Sequence, residues 1–577
     1  MSEFDVVVIG SGFGGAVAAC RLAAQGRRVL VLERGRRWSP DDFPRGRRAP
    51  WRFDPHAPQR RNGWLDLRVL ARNMVVATGA GVGGGSLLYA NVSIDADHTA
   101  FDSGWPHDID ADVLAPYYRR VARMLRSAPI PDGQHPVRLE LMRSAATALK
   151  AEQRFRKVDL AITFGDPDRS TPWVNEHGRA QGTCTHCGNC VIGCTARAKN
   201  TLDLNYLAAA ENDGAVVRPL CQVSHLSRAG SQWRVHYDDV SGGTRTARTV
   251  AADRVILAAG SLGSTEMLLR SKTEFATLPD LPDSLGTGWS SNGDFVTPEW
   301  FTRRTVPASP TKGPTITSAI DFLDGSRGGR FFVEDGGLPN MMDVLFDAGS
   351  KAETGTPLQR RAMARLHRMG AMDTVMPWFG QAIDGADGVL RLGRRSALSG
   401  RRILRVDWRA RRSAAAIDAM ARTHRALSRG TGGHPFPRLA WSWGRGLVTP
   451  HPLGGCAMAS SPTKGVVDHG GRVFGHPGLY VMDGAIVPRA IGRNPSKTIA
   501  ALAERAVELL LAESDQISSS DLPTVARAAN DRCASTACSS ANVAPMAGAM
   551  SPCVASDRAV TRSARAASLV GRPARNG

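Results

Sequence analysis

A single stretch near the start of the chain leaves little freedom in how it folds. FDVVVIGSGFGGAVAACRLAAQGRRVLVLERG, beginning at Phe4, reads as strand, glycine-rich turn, helix, strand and acid. Val6 to Ile9 is an unbroken β-branched run, the pattern of a parallel strand buried on both faces. Gly10, Gly12 and Gly15 form GxGxxG around Phe13 and Gly14. They provide a tight turn, close backbone approach to a pyrophosphate, and close helix–strand packing. The helix stops at Gly26, Val29 to Leu32 forms the second strand, and Glu33 follows where an acid accepts a hydrogen bond from a ribose 2′-hydroxyl. An acid there repels a 2′-phosphate, which argues against NADP and leaves NAD or FAD open.

At 577 residues the chain exceeds one simple core, so two domains and an appendage are expected. No apolar run reaches the length of a membrane span, and Met1 leads almost directly into the first strand. A cytoplasmic location is the default. The net charge of +20 is carried almost entirely by Arg. It reads either as Arg bias on solvated faces or as attraction to anionic lipid or an acidic partner. No nucleic-acid recognition motif accompanies it.

Residues 36–72, rich in Arg and Pro, read as loop. ATGAGVGGGSLLYANV then brings Gly79, Gly81, Gly83, Gly84 and Gly85, a backbone suited to lying flat against a large ligand. Ala111 to Leu125 and residues 196–211 read as helices. Val216 to Ser227, Trp233 to Tyr237 and Arg254 to Ala258 read as strands, and Gly260 and Gly263 open a further helix. Residues 291–445 suggest an antiparallel sheet with covering helices, whereas Val466 to Glu508 returns to α/β grammar. Residues 514–577 read as a disordered tail.

The far end of the chain carries HPLGGCAMA at His451, a strand ending in Asp483–Gly484, and an Asn494–Pro495 turn into a helix. A polar side chain beside a helix N-terminus is well placed to stabilise developing negative charge. With GSGFGG, GAGVGGGSL, AKNTLDLNYL, AAGSLGSTEMLL, GWSSNGD, PWFGQ, HPLGGC and DGAIVP…NPSKTI in this order, the chain resembles the glucose–methanol–choline (GMC) oxidoreductases. Within them it is similar to the bacterial cholesterol-oxidase-like branch.

The resemblance implies FAD rather than NAD, in a split, doubly wound Rossmann-type α/β domain. A substrate domain built on an antiparallel sheet (α+β) is inserted into it. The expected FAD-binding segments are 1–40, 75–95, 215–290 and 465–513, and the expected substrate segments are 96–214 and 291–464. By position, His451 matches the family's active-site histidine and Asn494 its polar partner near the substrate oxygen. Gly10, Gly12, Phe13, Gly14, Gly15 and Glu33 would hold the ADP half. Gly81, Gly83 and Gly84, with Ser86 and Asn91, would lie along the flavin, while Asp483, Gly484 and Pro495 would contact the cofactor from the other end. Cholesterol oxidases also use a Glu from the substrate domain, for which Glu334 is the candidate.

The expected reaction is oxidation of an alcohol CH–OH group to a carbonyl. His451 takes the hydroxyl proton and the flavin takes the hydride. The substrate expected is a hydrophobic, sterol-like alcohol, with oxygen or an electron carrier as acceptor. A flavoprotein electron carrier is the reading from another class, and His451 and Asn494 argue against it.

Cys184, Cys187, Cys190 and Cys194 have the C-x2-C-x2-C-x3-C spacing of ferredoxin cluster ligands, with Thr195 where Pro usually follows. Three readings stay open: an iron–sulfur cluster, zinc, or reduced cysteines packed in a loop. A cluster would make the protein a dehydrogenase feeding a carrier or quinone.

Overall fold

Four consecutive apolar residues, Val6 to Ile9, form the centre of a parallel sheet. In the computed structural model the strand Phe4–Ile9 lies between Val29–Leu32 and Thr246–Leu257, with Val8 facing Val31 on one side and Ile256 on the other. Val216–Arg218 extends the sheet beyond Val29–Leu32, and Leu479–Val481 adds a parallel strand beside Val255–Leu257. The described residues are 3–43, 50–71, 74–166, 168–301, 308–339, 374–397, 399–435 and 447–520.

Thr246–Leu257 serves two pairings. Its first half is antiparallel to Gln232–Asp239, which in turn pairs with Cys221–Ala229. The expected continuous strand from Val216 is broken between Arg218 and Cys221, where Leu220 takes a φ of 63°. Helix Phe13–Ala23 follows the first strand and is buried along nearly its whole length. The closing helix Ser496–Ser520 is tied back to it by Arg21, which makes a bidentate pair with Glu504, 483 positions later. That helix runs past Ser514. The tail expected beyond it lies, from residue 521, outside the described residues.

The second sheet is wholly antiparallel. Its order is His434–Pro435, Phe295–Trp300, Val375–Ala382, Phe331–Asp335, Ser318–Phe322 and Phe155–Lys157. Every residue of Phe331–Asp335 is buried, so this central strand shows none of the apolar–polar alternation of a half-exposed one. Helix Ala414–Gly430 covers one face, and the Trp378 indole N–H donates to Ser428 on it at 2.8 Å. The Rossmann-type sheet plus a separate antiparallel sheet is the architecture expected.

Two local expectations are corrected. Residues 36–72 are not all loop: Leu65–Ala71 is a strand paired with Met74–Gly79, which also carries Leu447–Thr449 as a parallel neighbour. Its pattern is obscured by Asp66, a buried acid paired with Arg34 and Arg68, which reads as polar in the sequence. The helix expected over 196–211 is confined to Tyr206–Asn212. Upstream, Lys199 and Asn200 turn inward. The Lys199 ammonium donates to the carbonyls of Leu87, Tyr89 and Cys190, and the Asn200 amide to that of Leu125. Those long-range bonds replace the helical ladder.

Candidate active site

A cavity of about 1280 Å³ runs between the two sheets and is lined both from the first strand–turn–helix and from residues 447–499. Gly10, Gly12, Phe13, Gly14 and Glu33 line it from the first strand–turn–helix, Gly84 and Gly85 from the second glycine cluster. Asp483, Gly484, His451, Asn494 and Pro495 line it from the far end.

The glycines of the first turn do different jobs. A Cβ on Gly14 would sit 1.5 Å from the carbonyl oxygen of Met482, and one on Gly15 would sit 2.0 Å from that of Gly10. Those two are dictated by packing. A Cβ on Gly12 would meet nothing within 4 Å. Gly12 is also the N-cap of helix Phe13–Ala23 and no side chain caps that end. Uncapped amides beside an open, bare backbone fit the pyrophosphate of a dinucleotide.

Glu33 closes this half. Its buried carboxylate accepts from the Ser11 amide and hydroxyl through one oxygen and from the Gly35 and Gly81 amides through the other. It therefore fastens the two glycine loops together where it meets the cavity. Gly15, Gly81, Gly83, Ser86 and Asn91 do not line the cavity. Ser86, fully buried, donates to the Gly83 carbonyl and accepts from the Leu202 amide, fixing the loop from behind. Asn91 is buried with a φ of 70°, and neither atom of its amide has a partner among the described residues. Ala90 and Val92 on either side of it line the cavity. Asp483 accepts from the Gly260 and Ala485 amides and the Ser264 hydroxyl, and burial pushes its carboxyl up to about 6.

The opposite wall is made of side chains. Leu447–Thr449 delivers His451, whose Nδ1 lies 2.9 Å from Oδ1 of the buried Asp294. The other oxygen of Asp294 accepts from the Thr449 hydroxyl at 2.6 Å, and that hydroxyl accepts from the His451 amide. Burial pushes the Asp294 carboxyl up, while His451 and Thr449 pull it back. The Phe379 ring lies 5.9 Å from the imidazole, centre to centre. Asn494 donates to Glu334 at 3.4 Å, and Gln381 donates to the same oxygen at 2.9 Å. Glu334, buried in the centre of the antiparallel sheet, has its carboxyl pushed up to about 8 by burial. Its second oxygen and the Asn494 carbonyl oxygen have no partner among the described residues. A site with a histidine, an amide and unsatisfied oxygens can accept a proton and hold a hydroxylic substrate.

Of the three readings of the cysteines, the iron–sulfur cluster finds no support among the described residues. Cys184, Cys187, Cys190 and Cys194 all border one small cavity of about 20 Å³. Among the described residues no group of three or more His, Cys, Asp or Glu is arranged to hold a metal ion. Cys187 is exposed, burial pushes the Cys184 and Cys194 thiols up, and the Lys199 ammonium bonds to the Cys190 carbonyl beside them.

Sequence reasoning passed over Asp294, Thr449 and Gln381. GWSSNGD and PWFGQ contain two of them, but nothing local marks an Asp as the partner of a histidine 157 positions away. Nothing in the described helices is long and apolar enough to cross a membrane.

Residues 4–275 and 386–503 match the two models of the GMC oxidoreductases, described in each case as "GMC oxidoreductase". A cholesterol oxidase from Acinetobacter baumannii is 31% identical over 544 residues, covering 89% of this chain and 95% of that protein. A cholesterol oxidase from Mycobacterium tuberculosis is 31% identical over 553 residues, covering 88% and 91%. Among solved structures, an FAD-dependent oxidoreductase from Chaetomium thermophilum superposes with a TM-score of 0.60 at 16% identity, covering 89% of this chain and all of that one.

Proposed function

The chain belongs to the GMC oxidoreductase family, FAD-dependent oxidoreductases acting on CH–OH donors, and from that premise we propose that it oxidises a hydrophobic, sterol-like alcohol to the carbonyl, with oxygen as acceptor. The observation that carries this reading is the meeting of His451 and Asn494 with the glycine cradle in one cavity. We assign residues 1–40, 75–95, 215–290 and 465–513 to cofactor binding and 96–214 and 291–464 to the substrate side.

The walls beyond His451 support an apolar substrate. Ile316, Leu338, Val375, Pro377 and Phe379 line the cavity there. Where it meets solvent stand Val296 and Val448, 48% and 50% exposed, with the exposed Arg422 beside them on the lining. Exposed valines with a cation suit contact with an anionic lipid surface from which a sterol could be drawn.

The Gly10–Gly15 turn, Glu33, the Gly84–Gly85 backbone and Asp483 would hold FAD, which when bound would supply the hydride acceptor. His451 takes the hydroxyl proton on the ring nitrogen not committed to Asp294. One Asn494 amide hydrogen reaches Glu334, which leaves the other for the substrate oxygen as negative charge develops there. Glu334, at about 8, is protonated at neutral pH, so it adds no second anion beside that oxygen.

The test is anaerobic mixing with cholesterol, read as bleaching of the flavin absorbance, followed by peroxide formation when air is admitted. His451→Ala is expected to retain flavin and lose ~10²- to 10⁴-fold in turnover, or roughly 3–5 kcal/mol of barrier. Unchanged turnover in that variant removes the role assigned to His451. Absence of flavin in the purified protein removes the whole reading.

A further inference from the structure

Ser290 to Asp294 form a turn whose hydrogen bonds reach both halves of the catalytic pair. The Asn292 side chain accepts from the Ile491 and Gly492 amides and donates to the Arg493 carbonyl, so it fixes the loop that ends at Asn494. Two residues on, Asp294 holds His451 and Thr449. The turn is itself anchored by the buried Asp384, which accepts from the Ser290 and Ser291 hydroxyls and the Ser291 and Gly293 amides. Asp294 is completely buried, and Coulombic repulsion from it contributes to the raised Glu334 carboxyl. A buried carboxylate is expensive unless it is paired and hydrogen-bonded, and the partners of Asp294 are the His451 ring and the Thr449 hydroxyl.

We propose that Asp294 is a positioning residue for the oxidation, acting only through His451. This rests on the proposed role of His451 as the base. A carboxylate can only accept, so the proton of the neutral imidazole sits on Nδ1 and the lone pair on Nε2, the nitrogen left to the cavity. When Nε2 takes the substrate hydroxyl proton, the ring becomes a cation with the Asp294 carboxylate already 2.9 Å away. No proton passes to Asp294; the bond that forms is Nε2–H and the bond that breaks is the substrate O–H. Thr449, bonded to the second oxygen, prevents the carboxylate from rotating away.

Asp294→Asn preserves size and can still bond Thr449, yet its amide can turn an N–H toward Nδ1 and place the ring proton on Nε2, the wrong side. The decisive measurement is a double-mutant cycle on holoenzyme, with cholesterol as substrate and flavin content and melting temperature recorded for each protein. Asp294→Asn alone is expected to lose about 10²-fold or more in kcat, with KM within about threefold and flavin retained. In the His451→Ala background the same change is expected to cost nothing further, a result that a merely structural role would not give. Full additivity, or wild-type turnover in Asp294→Asn, overturns the inference while leaving His451 as base. A His451→Ala enzyme as fast as wild type instead overturns the reading beneath it. Should Asp294→Asn lose its flavin, Thr449→Val carries the same cycle. A loss of about tenfold that vanishes in His451→Ala supports the inference, and no loss or an additive one overturns it.

Discussion

The two walls of the cavity are built on opposite plans. The nucleotide wall is mostly main chain: Gly14 is wedged against the Met482 carbonyl and Gly15 against that of Gly10 in the same turn, and Gly12 presents open backbone. The substrate wall is mostly side chain: Asp294, His451 and Asn494 meet there from remote segments, with Glu334 and Gln381 hydrogen-bonded behind Asn494 rather than on the lining. A main-chain wall tolerates no added atom where it is packed, and its buried acids, Glu33 and Asp483, serve to hold backbone amides. A side-chain wall tolerates changes of shape and is sensitive to charge.

The sharpest way to break this contrast is Gly14→Ala. The new methyl would have to occupy the Met482 carbonyl, and neither backbone can move alone, so a loss of about 3 kcal/mol or more is expected, with flavin loss. Thermal melting and flavin absorbance check it; a stable, yellow variant would show that the seam is softer than its geometry.

Next in size is the pH dependence stored in the other wall. Glu334 titrates near 4.5 when unfolded and near 8 in the fold. The native state thus keeps a proton that the unfolded chain releases over that interval, so stability falls as pH rises from about 5 to 8. Glu334→Gln is expected to remove part of that fall, on the order of a few kcal/mol. Melts of both proteins at pH 5 and pH 8 decide, and an identical slope in the two would reject the assignment. Glu299, also pushed up to about 8 by burial, maintains a residual slope in the variant.

The smallest effect sharpens the difference within the nucleotide wall itself. Gly12→Ala adds a methyl facing open space, at a φ of −72° that alanine adopts freely. The flavin-free protein should melt within about 0.5 kcal/mol of wild type. FAD, titrated back, should bind about tenfold more weakly, or 1.4 kcal/mol. Unchanged affinity would mean that the bare backbone at Gly12 does not face the pyrophosphate.

The same division explains what could be read from the residues. GSGFGG and the glycine-rich loop were legible because backbone chemistry forces particular residue types into short spacings. Glu33 stood out for the same reason, although its fastening of Ser11, Gly35 and Gly81 could not be seen. His451 and Asn494 were found through the resemblance of their surroundings. Asp294 was missed because its meaning lies in a partner brought close only by the fold. The cysteines are the opposite case: their spacing matches a ligand set, but Lys199 turns into the loop and, among the described residues, no group of three or more His, Cys, Asp or Glu is arranged to hold a metal ion. The strand Leu65–Ala71 was hidden by an acid whose burial is offset by two arginines.

The strand Leu479–Val481 slots beside Val255–Leu257, and the Met482 carbonyl then closes on Gly14. For a chain made from its amino terminus onward, this sets an order of events. The first strand–turn–helix emerges early, but the floor beneath it arrives only with residues near 480. Until then the apolar edge of Val255–Leu257 is exposed and the seat for the cofactor is unfinished, so the growing polypeptide must wait, and be kept from sticking, before it can take up its flavin.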